Sequence, residues 1–241
     1  MIGIIIELLI SWLLLKYVQH ENLNVLGLAP GRRRLFDLLS GLLLPLVYVC
    51  VFEFAVAAVV HNPYKLHPGY RPVDFGHACW YLLKSVAYED LLFRGALLYI
   101  LMQKIGMQKA MLISAVAFGI YHWFAWGALG NPAAMVIIFL MTGSAGYIYA
   151  LAFERTSSMY LGAGLHFGID FATSVLFSQD KSIGQQLLVK TFSKDPVSPA
   201  SWIAILVIIV HFIGFPALSF WWLKRKKRTN GEPAGHFYEI D

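Results

Sequence analysis

The stretch HACWYLLKSVAYEDLLFRGALLYILM, residues 77–102, reads as a membrane-spanning helix that carries Lys84, Glu89, Asp90 and Arg94 in its interior. About 20 consecutive, mostly apolar residues suffice to cross the hydrocarbon core of a bilayer. A charge at the centre of that core costs about 2.5–3.5 kcal/mol on insertion scales, so an ionisable residue held there is a functional candidate from the outset.

The rest of the chain extends the same reading. Of 241 residues, 58% are hydrophobic and 14% are charged, with a mean hydropathy of +0.62. A soluble domain carries nearer a quarter charged residues. About seven apolar segments can be marked, at 1–18, 35–60, 77–102, 110–128, 132–153, 159–178 and 200–223. Backbone polar groups find no partners in lipid, so the spans are helices. Between them lie Gly31 with Arg32, Arg33 and Arg34, the turn-rich NPYKLHPGYRP at 62–72, the run Gly130, Asn131 and Pro132, and a polar stretch at 179–199. The expected fold is all-α, a polytopic transmembrane helical bundle forming one domain over 1–223, followed by a basic cytoplasmic tail, KRKKRTNGEPAGHFYEID, at 224–241. No internal repeat emerges. The start, MIGIIIELLISWLLLKYV, has no basic region before its apolar run and no small-residue cleavage site, so it reads as a retained anchor. Cys50 and Cys79 have neither metal-ligand spacing nor a framework of partners.

The basic residues set an orientation. Lys16, Arg32, Arg33, Arg34, Lys104, Lys109, Arg155 and the run Lys224 to Arg228 gather on one face, whereas Lys65, Arg71, Lys181, Lys190 and Lys194 gather on the other. The positive-inside rule then places the N-terminus outside and the C-terminus in the cytoplasm. The net charge of +5 is accounted for by these flanking clusters, so nucleic acid is not an expected partner.

Three spans hold ionisable residues at similar depth. At 1.5 Å per residue, Glu89 lies roughly 20 Å, His122 roughly 18 Å, His166 roughly 10 Å and Asp170 roughly 16 Å from the cytoplasmic ends of their helices. Asp90 and Arg94 are i,i+4 neighbours about 40° apart, whereas Glu89 points about 140° away from Arg94. Arg94 therefore pairs with Asp90, which leaves Glu89 to face the histidines. His166 and Asp170 share a face at i,i+4, and Gly164 and Gly168 give that span a small-xxx-small edge for packing against the third and fourth spans.

EDLLFR at 89–94, FGIYH at 118–122 and HFGID at 166–170, in that order on separate apolar segments, resemble the three motifs of the CPBP family of CAAX-protease and bacteriocin-processing intramembrane proteases, also called Abi proteins. The resemblant core runs over about 77–178. It departs from the family pattern at Asp90, where Glu is usual, and at Asp170, where many members have Asn. The resemblance implies a glutamate-dependent endopeptidase without metal or other cofactor, in the inner or plasma membrane of a bacterium, acting on a membrane-associated or lipidated protein or peptide. Glu89 would be the general base, His122 would hold and polarise the water, and His166 with residue 170 would face the oxyanion. Asp170 would either donate a hydrogen bond when protonated or, the favoured role, orient His166. Asp90 and Arg94 would be a supporting pair.

Other readings remain beside it: a zinc peptidase using two histidines and a carboxylate, an immunity or binding protein that hydrolyses nothing, and a proton-coupled transporter. Phe118 is expected to pack. Glu7 and Glu53 are expected at the surface or in helix contacts, His211 in the core, and Trp123, Trp126, Trp221 and Trp222 in an interfacial belt.

Overall fold

The computed structural model describes residues 2–177, 187–191 and 198–228. Lys181, Lys194, position 178 of the sixth segment and the tail beyond Arg228 lie outside the described residues. The chain opens with α1, Ile2–Leu14, which runs on through a π-helical turn at Leu15–Gln19. A 28-residue helix, α2 at Arg32–Val59, follows, with Pro45 in its interior. Next come a short strand β1, Tyr64–Leu66, and α3, Pro72–Arg94. Pro72 at the first helical position and a capping box closed by Arg71 and Asp74 explain why α3 begins where it does.

The 77–102 segment is not one helix. The chain breaks at Gly95 and resumes as α4, Ala96–Ile105. A Cβ at Gly95 would collide with the Leu91 carbonyl oxygen, so only glycine allows this bend. At ten residues, about 15 Å, α4 is too short to span by itself. The bundle continues with α5, Met107–Ala125, and α6, Pro132–Thr156, which Asn131 caps by accepting the Ala134 N–H. Ser158 accepts the Tyr160 N–H and starts α7, Met159–Asp170, which passes into a π-helical turn at Phe171–Leu176. Strand β2, Leu188–Lys190, pairs antiparallel with β1, with Tyr64 opposite Lys190. The two stretches expected only as polar connections thus hold each other, the one strand pair among the described residues. Tyr64 also donates its hydroxyl to Glu53 of α2 at 2.6 Å, and burial together with that carboxylate pushes the phenol above its ordinary pKa. The last described elements are α8, Ser201–Ile209, a π-helical turn at Val210–Gly214, and α9, Phe215–Arg225.

Among the described residues, four helical stretches are long and apolar enough to cross a membrane, at Ile2–Gln19, Arg32–Val59, Pro132–Thr156 and Ser201–Arg225. The expected third, fourth and sixth spans, now α3 with α4, α5 and α7, are not among them. Those elements carry the ionisable residues at the centre of the bundle. Large apolar side chains on α1, α2 and α8, such as Ile2, Val47, Val51, Trp202 and Ile205, point outward, as lipid-facing helices require.

α7 lies between α2 and the site-bearing helices. A Cβ at Gly164 would strike the Leu38 carbonyl oxygen, one at Gly168 would meet Leu42 O at 2.5 Å, and one at Gly41 would meet Leu161 O at 2.6 Å. The glycine edge of α7 therefore packs on α2, not on the third and fourth spans. His166, about 200° around the helix from Gly164, faces the other way. The C-terminal end of α9 is also tied down: Lys226 Nζ lies 2.8 Å from Asp37 of α2, and Arg228 pairs with Glu154 of α6, each carboxylate being almost wholly buried. His211 is exposed, its ring 5.6 Å from that of Phe52, and so is not the core residue expected.

Candidate active site

Helix geometry sends the neighbouring acids of α3 to different partners. Glu89 accepts a hydrogen bond from Ser85, one turn earlier, at Oε1 (3.2 Å). Its other oxygen, Oε2, stands 3.9 Å from His122 Nε2 and 3.7 Å from His166 Nε2. Asp90 Oδ1 instead accepts from Arg94 Nη1 at 3.1 Å and contacts His166 Nδ1, also at 3.1 Å. Asp170, at the end of α7, places Oδ2 3.5 Å from His166 Nε2. His166 is thus held at Nδ1 by Asp90, while its Nε2 looks toward both Glu89 and Asp170. Asp90 is more than the partner of Arg94, because it holds the imidazole from the side where Asp170 does not reach.

The tautomer of His122 follows from its partner. Its Nδ1 lies 2.8 Å from the Phe118 carbonyl oxygen, which can only accept, so Nδ1 bears the proton. With Nδ1 so engaged, Nε2 is the ring atom turned toward Glu89.

Aromatic rings enclose the cluster. The Arg94 guanidinium lies 3.9 Å from the Phe118 centroid and 4.9 Å from that of Tyr149, while its Nε and Nη2 have no hydrogen-bond partner among the described residues. Ring faces stand where polar acceptors would otherwise be needed. Tyr149 stacks on His166 with centroids 4.7 Å apart and planes 22° apart. Phe118 meets both imidazoles edge to face, and Trp126 closes on His122 at 5.2 Å. Gly146 of α6 makes room for this packing, since a Cβ there would meet Phe118 Cδ1 at 3.0 Å and Arg94 Nη2 at 3.1 Å.

Access is graded across the cluster. The side chains of Arg94, Asp90 and His166 are 2%, 4% and 5% exposed, against 13% for Glu89 and 36% for Asp170. A cavity of about 290 Å³ between the start of α1 and the Glu89 face of α3 reaches Glu89, with Tyr81, Lys84, Ser85, Tyr88 and Tyr121 among its walls. Glu7, on α1, has both carboxylate oxygens buried without a hydrogen-bond partner among the described residues. No group of three or more His, Cys, Asp and Glu among the described residues is placed to hold a metal ion.

All six sequence candidates, Glu89, Asp90, Arg94, His122, His166 and Asp170, come together at one place. Sequence reasoning passed over Ser85, Tyr149 and the closing role of Trp126. Ser85 was recoverable, because i−4 from Glu89 is a contact position on a helix. Tyr149 sits in an apolar run with nothing to mark it.

Residues 74–172 match the family profile described as Rce1-like, type II CAAX prenyl endopeptidase Rce1-like. The matched stretch contains every member of the cluster. No curated protein and no solved structure matches the chain. The matched stretch is thus similar to proteases of the CAAX type, and the four apolar helices fit an integral membrane protein.

Proposed function

We propose that the chain carrying this CAAX-protease segment is an intramembrane endopeptidase in which Glu89 and His122 activate water and His166 stabilises the oxyanion. The observation that carries the reading is Glu89 Oε2 facing two imidazole Nε2 atoms at 3.7 and 3.9 Å inside an apolar bundle. Those separations exceed a direct hydrogen bond and suit a bridging water.

In the reaction, Glu89 takes a proton from that water while the His122 Nε2 lone pair accepts the second water hydrogen. The hydroxide adds to the scissile carbonyl carbon. His166, doubly protonated between three carboxylates, gives its Nδ1–H to Asp90 and aims its Nε2–H at the new oxyanion. Glu89 then passes its proton to the leaving nitrogen, the C–N bond breaks, and the remaining proton of the new acid passes to the amine, so that a carboxylate and an ammonium depart. Asp170 steadies the imidazolium from the open side. Arg94 holds Asp90 in place.

Seven crossings, with the N-terminus outside, belong to this reading. α3 at 23 residues and α5 at 19 span about 35 and 28 Å, and α7 with its π-helical turn, 18 residues, about 27 Å. The substrate is a peptide bond close to a lipidated or membrane-embedded segment, as the CAAX description of the matched family implies.

Comparative membrane proteomics of cells carrying the wild type or Glu89→Ala tests the proposal. Proteins with an uncleaved form only in the variant are the expected result. Identical proteomes, together with a biological phenotype that survives the substitution, would instead mark a binding or immunity protein.

A further inference from the structure

Between α2 and the last helices runs an apolar groove of about 910 Å³ that the hydrolytic chemistry leaves unused, walled by Phe36, Leu39, Leu43 and Val47 of α2 and by Leu218 and Trp222 of α9. Two contacts pin these helices together. Tyr48 donates its hydroxyl to the Val210 carbonyl oxygen at 2.6 Å, and Lys226 Nζ meets Asp37 at 2.8 Å. From Asp37 to Tyr48 is about 16 Å along the α2 axis. That matches one leaflet's share, about 15 Å, of the hydrocarbon core. The hydroxyls that reach the groove are already engaged, because Ser40 Oγ donates to the Asp37 carbonyl oxygen at 3.1 Å and Tyr48 donates to Val210. An irregular peptide would find no partners there for its backbone. A helix about 10–12 Å across and 16 Å long needs roughly 1300–1800 Å³, more than the groove holds. A hydrocarbon chain meets neither obstacle.

Charge at the rim narrows which chain. Arg32 and Arg33 precede Phe36 by four and three residues, and Arg225 follows Trp222 by three, so helical spacing puts all three on the groove sides of their helices at the same end. Asp37, the acid nearest to the arginines of α2 in sequence, is taken by Lys226, and among the described residues Arg32 and Arg225 enter no ion pair. The Arg225 guanidinium lies 3.8 Å from the Trp221 centroid, a stacking that keeps its N–H edge for an acceptor. Arginines at headgroup level beside a groove of acyl width are complementary to a phosphate. α2 meets α7 through a different side, at Leu38, Gly41 and Leu42, so α7 stands between the groove and Glu89 and separates it from a peptide held there. We propose that the groove holds an acyl chain of one anionic phospholipid, whose phosphate is bound by Arg32, Arg33 and Arg225, and that this lipid fastens α9 to α2. The inference does not depend on the peptidase reading.

The test places the full chain in nanodiscs of phosphatidylcholine with a minor share of phosphatidylglycerol, moves it into detergent, and counts the lipid that stays bound by native mass spectrometry. One phosphatidylglycerol per chain should remain, enriched about 10- to 100-fold over its share of the bilayer, the range that several basic residues at a membrane surface support. Arg32→Gln with Arg225→Gln should cut the enrichment by about fivefold for each charge removed. Leu43→Trp and Val47→Trp, at positions more than half exposed, fill the groove and should each abolish retention while unfolding in pure phosphatidylcholine stays at the wild-type temperature. Phosphatidylglycerol should raise the unfolding temperature of the wild type and leave that of the tryptophan variants unmoved. Lipid retained in proportion to the bilayer composition, or retained equally by the charge variants, overturns the proposal. So does retention that survives both tryptophans. Displacement of the lipid by S-farnesylcysteine methyl ester would assign the groove to a prenyl chain, and a mass of two chains that Leu43→Trp reduces to one would assign it to a second copy; either result also overturns it.

Discussion

Asp90 serves two partners through one oxygen, so removing its charge should damage stability and catalysis in ways that a second substitution can separate. In Asp90→Asn the Arg94 guanidinium, 2% exposed, loses its carboxylate. At 3.1 Å and an effective dielectric of 20, that attraction is about 5 kcal/mol before desolvation. Stranding one member of a buried pair costs about 3–5 kcal/mol net. Arg94→Met should cost a similar amount, because Asp90 is then left with His166 alone. The double variant removes both charges and should be about 2–3 kcal/mol more stable than the two losses summed. Activity should not return with it, because His166 still lacks the carboxylate at Nδ1, and a loss of about 10²-fold or more in kcat should persist. Unfolding in mixed micelles reports the stabilities, and cleavage of a prenylated peptide reports turnover. Additive stability losses would show that the pair is incidental to folding. Wild-type turnover in the double variant would show that Asp90 does nothing for His166.

Gly164→Ala forces a Cβ into the Leu38 carbonyl and should destabilise the α2 and α7 packing by about 1–3 kcal/mol, whereas Gly31→Ala, with nothing within 4 Å, should shift thermal unfolding by less than about 0.5 kcal/mol. Equal shifts would contradict the close helix crossing. Lys226→Ala leaves Asp37 buried without its ammonium, and a loss of about 1.5–3 kcal/mol with faster proteolysis near the end of α9 should follow. Unchanged proteolysis would mean that the clip does not hold. Exhaustive dialysis against EDTA should leave peptide cleavage within about twofold of its starting rate. A larger loss that zinc restores would move His122, His166 and a carboxylate into the role of ligands.

Much of the site could be read from helical spacing alone. The i,i+4 relation of Asp90 to Arg94 and the opposite heading of Glu89 depend only on residues within one turn or two, where an α-helix leaves little choice. The link from Asp90 to His166 spans 76 residues and depends on how α7 settles against α3, which no local pattern states. The glycines of α7 announced a close helix contact but not its partner, because small residues mark an edge without naming what meets it. Nothing in the apolar run around Gly95 marks it as a break. Its importance lies in the Leu91 carbonyl, which comes close only once the chain has bent. The pairing of Tyr64–Leu66 with Leu188–Lys190 was hidden for the same reason, since two short polar connections far apart in sequence form a ladder only when the bundle brings them together.

The central claim is that the Glu89 carboxylate activates the attacking water, and the most direct measurement is the single-turnover cleavage rate of Glu89→Gln in nanodiscs against the wild type. The amide keeps the size and the hydrogen bond from Ser85 but cannot take a proton. A fall of about 10²–10⁴-fold with unchanged thermal unfolding is the predicted result. Cleavage within tenfold of the wild-type rate would contradict the account.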